Sequence, residues 1–238
     1  MYGQNKVSGS FNESGSHLLV NEMFYTLQGE GPDAGRPAIF VRLSKCNLRC
    51  YFCDTEFEKG EEYELGRLFE DVAELAREKR CSLVVITGGE PLLQNILPFV
   101  RRLNEFDISC SVETAGTTYI RGLEATFDPL RSIDGNLIVC SPKTPKIHPK
   151  IEHLVGAWKY IVKAQQTDEH GIPNMSTQQE GKPAPTFRPF HPVVPIYCNP
   201  MDEGSAEANA DNLKWAARMA LEHGFTLGVQ IHKLVGLR

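Results

Sequence analysis

The sequence predicts an α/β fold built on a mostly parallel sheet. Short apolar runs alternate with stretches of helical period, the pattern of strand–helix–strand units. Residues suited to binding ligands follow four of the apolar runs: Cys46 to Asp54, Gly88 to Pro91, Glu113-Thr114 and Ser141 to Lys143. In parallel sheets ligands gather at the carboxyl ends of the strands, so these four places predict one shared site.

The elements follow in order. Met23 to Leu27 and Ile39 to Leu43 are short and apolar, and read as strands. Tyr63 to Lys79 carries Leu65, Leu68, Phe69, Val72, Leu75 and Ala76 at helical spacing. Leu83 to Thr87 is a buried strand, and Pro91 opens a second helix running through Leu92, Leu93, Ile96, Leu97, Val100 and Leu103. Strands follow at Ile108 to Thr114, Asn136 to Ser141, Trp158 to Lys163, Val193 to Cys198 and Thr226 to His232. A long helix from Ala206 to His223 lies between the last two and stops at Gly224, a good C-terminal cap. Residues 164–192 break the pattern: rich in Gln, Thr, Pro, Gly and His and without period, they read as an inserted excursion or loop. Residues 1–17 read as a polar, poorly ordered lead-in, and 18–238 as one domain.

Composition narrows the function classes. The chain has 238 residues, 41% hydrophobic and 23% charged, enough for one good core. A net charge of −5 gives no basic footprint for nucleic acid. No apolar run approaches the roughly 20 residues that span a bilayer, and the start lacks the apolar stretch of a signal peptide. A cytoplasmic protein is expected. The cysteines number seven, and without an export signal a disulfide framework is not expected. Cys81, Cys110, Cys140 and Cys198 lie in or beside apolar runs and read as small buried hydrophobes.

Cys46, Cys50 and Cys53 are different. Three thiolates on one short loop can hold three irons of a four-iron cluster, leaving the fourth iron without a protein ligand. A structural zinc site normally takes four ligands as two separated pairs, and no second Cys/His pair stands out. The glycine pair of Gly88-Gly-Glu-Pro91, after a buried strand, lets backbone approach a ligand closely.

The cysteine loop and the Gly-Gly-Glu-Pro turn, in this strand order, resemble the radical S-adenosylmethionine (SAM) superfamily. Within it the chain resembles the 7-carboxy-7-deazaguanine synthase family, on Phe24-Tyr-Thr-Leu-Gln-Gly-Glu-Gly31, Phe40-Val-Arg42, Cys53-Asp-Thr55, Thr87-Gly-Gly-Glu-Pro91, Val112-Glu-Thr114 and Ser141-Pro-Lys143. The likeness covers about residues 20–238.

The resemblance implies a partial (β/α) barrel holding a 4Fe-4S cluster on Cys46, Cys50 and Cys53. SAM binds the open iron and, by the resemblance, contacts Phe52, Cys53, Asp54, Gly89, Ser141, Pro142 and Lys143. Thr55 is implied as a ligand of Mg2+, an ion that takes few protein ligands and keeps substrate oxygens; Asp54 is assigned to the SAM side. Leu27, Gln28, Gly29, Arg42 and Thr87 are implied to line the substrate, with Glu30 and Glu113 as further candidates. An arginine suits the carboxylate of a pterin. His232 and Lys233 follow the last strand and receive no contact.

The implied reaction is a carbon–nitrogen lyase step of queuosine and 7-deazapurine biosynthesis. 6-Carboxy-5,6,7,8-tetrahydropterin becomes 7-carboxy-7-deazaguanine and ammonia, through a 5′-deoxyadenosyl radical and with SAM regenerated. The implied partners are a second copy of the chain and a flavodoxin- or ferredoxin-type electron donor, with no nucleic acid and no membrane. Two other classes compete. A glycyl-radical-enzyme activating protein shares the cluster parts but lacks the Leu-Gln-Gly and Cys-Asp-Thr combination; a zinc-dependent binding module would hold zinc in place of iron and sulfide.

Overall fold

Nine strands join in one sheet, in the spatial order β3-β1-β2-β4-β5-β6-β7-β8-β9, in the computed structural model, which describes residues 6–9, 14–129, 135–190 and 193–237. The strands are β1 (His17–Leu27), β2 (Pro37–Leu43), β3 (Glu61–Glu64), β4 (Leu83–Gly88), β5 (Ser109–Thr114), β6 (Leu137–Cys140), β7 (Ala157–Val162), β8 (Ile196–Pro200) and β9 (Thr226–Leu227). The helices are α1 (Leu65–Lys79), α2 (Leu97–Asn104), α3 (Pro149–Glu152), α4 (Ala206–His223) and α5 (Ile231–Leu234). Pairing is parallel from β2 through β9, while β1 is antiparallel to β2 and to β3. From β4 onward strand order follows chain order, each strand added on the same side, as in part of a (β/α) barrel. The sequence expectation of a mostly parallel α/β sheet holds. Of the expected lead-in and excursion, residues 1–5, 10–13, 191 and 192 lie outside the described residues.

Four of the differences from the sequence reading have a local reason. Tyr63 belongs to β3 and pairs with Leu18, so α1 begins two residues later. The helix expected from Pro91 is a short 3-10 turn, Pro91–Leu93, and α2 starts only at Leu97. Pro98 has no N–H to bond a carbonyl four residues earlier and so suits the first turn of a helix, and the Gln94 amide is taken up by Leu19 and Ser44: it accepts from Leu19 N at 2.7 Å and donates to both carbonyls at 3.2 Å. β8 starts three residues later than expected and ends two later, because Pro195 has no N–H to give the ladder. The last expected strand, Thr226 to His232, is a two-residue β9 followed by α5. The chain leaves the sheet at Gly228, where a Cβ would stand 2.1 Å from Asn199 Oδ1.

The main core lies between the helices and one face of the sheet. It takes Ile39, Val41 and Leu43 from β2, Val84 and Ile86 from β4, Cys110 and Val112 from β5, and Trp158, Tyr160 and Val162 from β7. Leu68 and Val72 of α1, Val100 and Leu103 of α2, and Ala216 and Met219 of α4 pack on them. Side chains alternate along a strand, so the residues between these point to the opposite, inner face. That face carries a small apolar cluster of Ala38, Leu83 and Val85 with Phe40. In the same phase stand Arg42, Thr87, Ser111, Glu113, Lys159 and Asn199. A bulge in β1 between Val20 and Glu22 brings Glu22 opposite Arg42 and Phe24 opposite Phe40, whose rings stack at 5.1 Å. Bulges re-aim side chains in this way, and here the result is an ion pair on the inner face.

Candidate active site

The cysteine loop leaves the carboxyl end of β2 and is fixed by its neighbours' backbone. Gly89 N donates to Leu43 O at 3.1 Å, Glu90 N to Lys45 O at 2.9 Å, and Lys45 N to Phe57 O at 2.9 Å. Gly88 has φ +129°, and a Cβ there would lie 2.0 Å from Leu43 O; one on Gly89 would lie 2.0 Å from Lys45 O. The sequence reading gave these glycines to a ligand's approach. The structure adds a further reason: the space a Cβ would fill belongs to the root of the cysteine loop, which the glycine pair docks against. Glu90, fully buried, accepts from Thr114 Oγ1 at 2.6 Å, Ala115 N at 2.8 Å and Leu92 N at 3.0 Å, tying the ends of β4 and β5 together. Burial raises its pKa, against those three donors.

Cys46 is buried and Cys50 and Cys53 half-buried, all as free thiols. Burial pushes the Cys46 thiol up to about 12, with Glu90, Cys50 and Cys53 adding to it, and burial also raises Cys53. Such thiols are protonated at neutral pH, so coordination must displace their protons. Leu48 N donates to Cys46 Sγ at 3.4 Å and the Cys53 thiol to Thr55 O at 3.5 Å. Among the described residues no three His, Cys, Asp or Glu side chains are gathered to hold a single metal ion.

Two further groups adjoin the loop. Arg42 donates from Nε to Glu22 at 2.7 Å and from Nη1 to Thr55 Oγ1 at 2.9 Å, while the Thr55 hydroxyl donates to Asp54 Oδ1 at 3.2 Å. Asp54 therefore stands beside the Thr55 hydroxyl and not apart from it. Thr87 is level with Arg42 in the β2–β4 register. On the other side, the Lys143 ammonium lies over the Phe52 ring at 5.7 Å and donates to Ser141 Oγ. Burial lowers the Lys143 pKa. Ser141 N donates to Thr114 O at 2.8 Å, and Pro142 is buried between Ser141 and Lys143.

The third group comes from the turn after β1. Leu27 is paired with Pro37, the first residue of β2, at the far end of that strand from the cysteine loop. From there Gln28 reaches the inner face, its Nε2 donating to Glu113 Oε1 at 2.9 Å. Lys159 then joins two carboxylates: Nζ is 2.6 Å from Glu30 Oε2 and 3.0 Å from Glu113 Oε2, with only 7% of the lysine side chain exposed. Burial alone would raise the Glu30 carboxyl, but the Lys159 charge and hydrogen bond hold it at about 2. Burial likewise opposes the Lys159 charge, and Glu113 and Glu30 outweigh it, raising its pKa. Over this turn sits α5: Ile231 N donates to Gly29 O at 3.2 Å, and a Cβ on Gly29 would fall 1.8 Å from His232 Nδ1.

Lys159 and Glu22 escaped the sequence reading. The signal for Lys159 was a charged residue inside the apolar run Ala-Trp-Lys-Tyr-Ile-Val, in the phase opposite to Trp158 and Tyr160. Ser111 Oγ and both amide atoms of Asn199, in the same inward phase, are buried without a protein hydrogen-bond partner. An inner face with unused polar atoms and fixed acceptors, beneath a loop of three free thiols, fits a cluster and a polar ligand together.

Comparison with known proteins decides the family. The model of the radical SAM superfamily matches residues 41–170. The chain is 41% identical, over 99% of both lengths, to the 7-carboxy-7-deazaguanine synthase of Rhodospirillum rubrum. The chain belongs to the radical SAM superfamily, in its 7-carboxy-7-deazaguanine synthase family. The Rickettsia prowazekii member is 33% identical over all of this chain and 96% of its own. A crystal structure of QueE from Escherichia coli superposes with a TM-score of 0.61 over 90% of this chain and 94% of that one; at 22% identity it speaks for the fold. Membership of the superfamily brings the 4Fe-4S cluster and SAM as cofactors. Among the described residues no helix is long and apolar enough to cross a membrane.

Proposed function

We propose that this chain is a radical SAM lyase that converts 6-carboxy-5,6,7,8-tetrahydropterin to 7-carboxy-7-deazaguanine and ammonia. The names of its relatives supply the product. The observation that carries the reading is the buried Glu30–Lys159–Glu113 group on the same sheet face as Arg42, below the cysteine loop. A pterin offers donor N–H groups at its pyrimidine edge and a carboxylate at the other end. Glu113 and Glu30, both paired with Lys159, accept from the first, and Gln28 adds an amide. Arg42 has five N–H groups, of which Glu22 and Thr55 engage two, so it keeps donors for the carboxylate.

Cys46, Cys50 and Cys53 would hold the cluster, with one iron left for SAM. Phe52, Asp54, the backbone of Gly89, and Ser141 to Lys143 would surround SAM. When bound, the two cofactors supply a carbon radical that removes a hydrogen atom from the substrate. The protein's part is orientation, because a misplaced radical takes the wrong hydrogen. Thr55 would ligate magnesium together with substrate oxygens; its hydroxyl, placed between Arg42 and Asp54, supports this. Leu27, Gly29 and Thr87 would complete the substrate wall. A second copy of the chain is the proposed partner, supported by exposed apolar residues Leu234, Val235 and Leu237, with a flavodoxin- or ferredoxin-type protein as electron source.

The test is anaerobic turnover of the carboxypterin by protein reconstituted with iron and sulfide. The deazaguanine product and a SAM-responsive reduced cluster are expected, and a chain that binds zinc alone or leaves the pterin unchanged overturns the reading. Thr55→Ala is expected to lower kcat at least tenfold and to abolish stimulation by magnesium. Normal, magnesium-stimulated turnover removes Thr55 from the metal.

A further inference from the structure

The excursion of residues 164–192 has no part in the site described so far, yet its tip lies against the cysteine loop. Two short antiparallel bridges, Thr167–Pro173 and Met175–Pro183, fold it into a finger. At the tip, Tyr51 N donates to Thr177 O at 2.8 Å and Arg49 N to Gln178 Oε1 at 2.8 Å. The finger thus captures the backbone on both sides of Cys50.

The orientation of the Gln178 amide follows from these bonds. Arg49 N–H requires an acceptor, so the oxygen faces Arg49 and the NH2 group faces the other way. One of its hydrogens goes to Thr177 Oγ1 at 2.7 Å; Nε2 also lies 3.6 Å from Cys50 Sγ, within reach of an N–H···S bond. The Thr177 hydroxyl in turn donates to Lys143 O at 2.6 Å. Hydrogen bonds therefore run outward from the Gln178 amide in two directions, to Cys50 Sγ and through the Thr177 hydroxyl to Lys143 O. Arg49 N–H, donating to Oε1, polarises the amide and strengthens its NH2 group as a donor.

We propose that Gln178 is a positioning residue for the cluster, donating to the Cys50 sulfur and raising the cluster's reduction potential. The inference rests on the cluster being bound at Cys46, Cys50 and Cys53. A donor to a ligating sulfur stabilises the reduced form, which carries the additional negative charge, and hydrogen bonds to sulfur are one of the protein's means of setting the potential. The finger is then a functional clasp, which gives the excursion a reason to exist.

The experiment is a redox titration of the reconstituted full-length protein without SAM, followed by the electron paramagnetic resonance of the reduced cluster. Gln178→Ala is expected to shift the midpoint to more negative potential at full iron and sulfide content. Gln178→Glu keeps an oxygen for Arg49 N–H, and hence the loop anchor, but turns an acceptor to the sulfur; it should shift further. Gln179→Glu, one exposed residue along, adds the same charge without that contact and should shift less than either. An unmoved midpoint in Gln178→Ala, or a Gln178→Glu shift no larger than that of Gln179→Glu, overturns the proposal and leaves the reaction assignment intact. If wild type and Gln179→Glu load the cluster and both Gln178 variants do not, the residue only anchors the loop, and the tuning role is wrong. If wild type itself takes up no iron and sulfide, the cluster assignment fails first.

Discussion

Lys159 shows how one residue fixes the chemistry around it. It is the counter-ion of two buried carboxylates, and removing one partner of such a group leaves uncompensated charge in the interior. Lys159→Met is expected to cost about 3–5 kcal/mol of stability near neutral pH. Its pH dependence supplies the sign. In the wild type the Glu30 carboxyl is held at about 2, below its ordinary value of 4.5. That pair therefore adds stability above about pH 4.5, lost as pH falls toward about 2. Without the lysine, burial raises the Glu30 pKa above its unfolded value, and the variant loses stability as pH rises. The Tm of the variant should climb from pH 7.5 to pH 5.5 relative to wild type; parallel curves would show that Lys159 is not the counter-ion. At this scale the sequence was legible where residue types announce a chemistry, as with the three cysteines. It was silent on pairing. Glu30 and Glu113 were candidates without a partner, because the lysine that orders them lies 129 and 46 positions away along the chain.

At the scale of elements, local signals decided what could be read. α4 was legible to the residue because Ser205 caps its start, accepting from Ala208 N, and Gly224 ends it in the left-handed region at φ 70°. The interruption between Pro91–Leu93 and α2 was not, since the apolar spacing continues through it and the break comes from contacts that Gln94 makes with distant backbone. β3 was missed because Glu-Glu-Tyr-Glu has no apolar run; it is held at the edge by pairing with β1. α5 was hidden too, and it is only four residues long, so it depends on docking over Gly29. Gly29→Ala is expected to push His232 out and raise hydrogen exchange in Ile231–Leu234 at least tenfold, with α4 unchanged. Unaltered exchange in α5 would mean that His232 is not what holds it down. Burial also lowers the His232 pKa. The protection of α5 in the wild type should therefore fade as pH drops below about 6.5, the ordinary imidazole value, where burying the ring neutral begins to cost.

Across the whole molecule the two faces of the sheet divide the work. The helix-packed face carries the large core, from Leu18 through Met219, and accounts for why the alternation of strands and helices predicted the fold class. The inner face holds the charged and unpartnered polar groups, and the loops above it are joined to one another mainly by hydrogen bonds. Val7 bridges to Cys46, Phe57 and Lys59 carbonyls accept from Lys45 N and Ser44 Oγ, and Thr177 and Gln178 hold the loop from the far side. Stability is uneven in such a molecule, lowest where loops are held mainly by hydrogen bonds. The cluster, as a ligand of the folded state only, should then stabilise the rim without being needed for the core. Stripping it with a chelator under oxidation is expected to raise hydrogen exchange in residues 6–9, 44–58 and 173–186. The amides of β4, β5, α1 and α4 should stay protected and the circular dichroism nearly unchanged. Loss of protection throughout would mean that the three thiols hold up the whole sheet, as in small metal-dependent domains, and that the helix-side core is not self-sufficient.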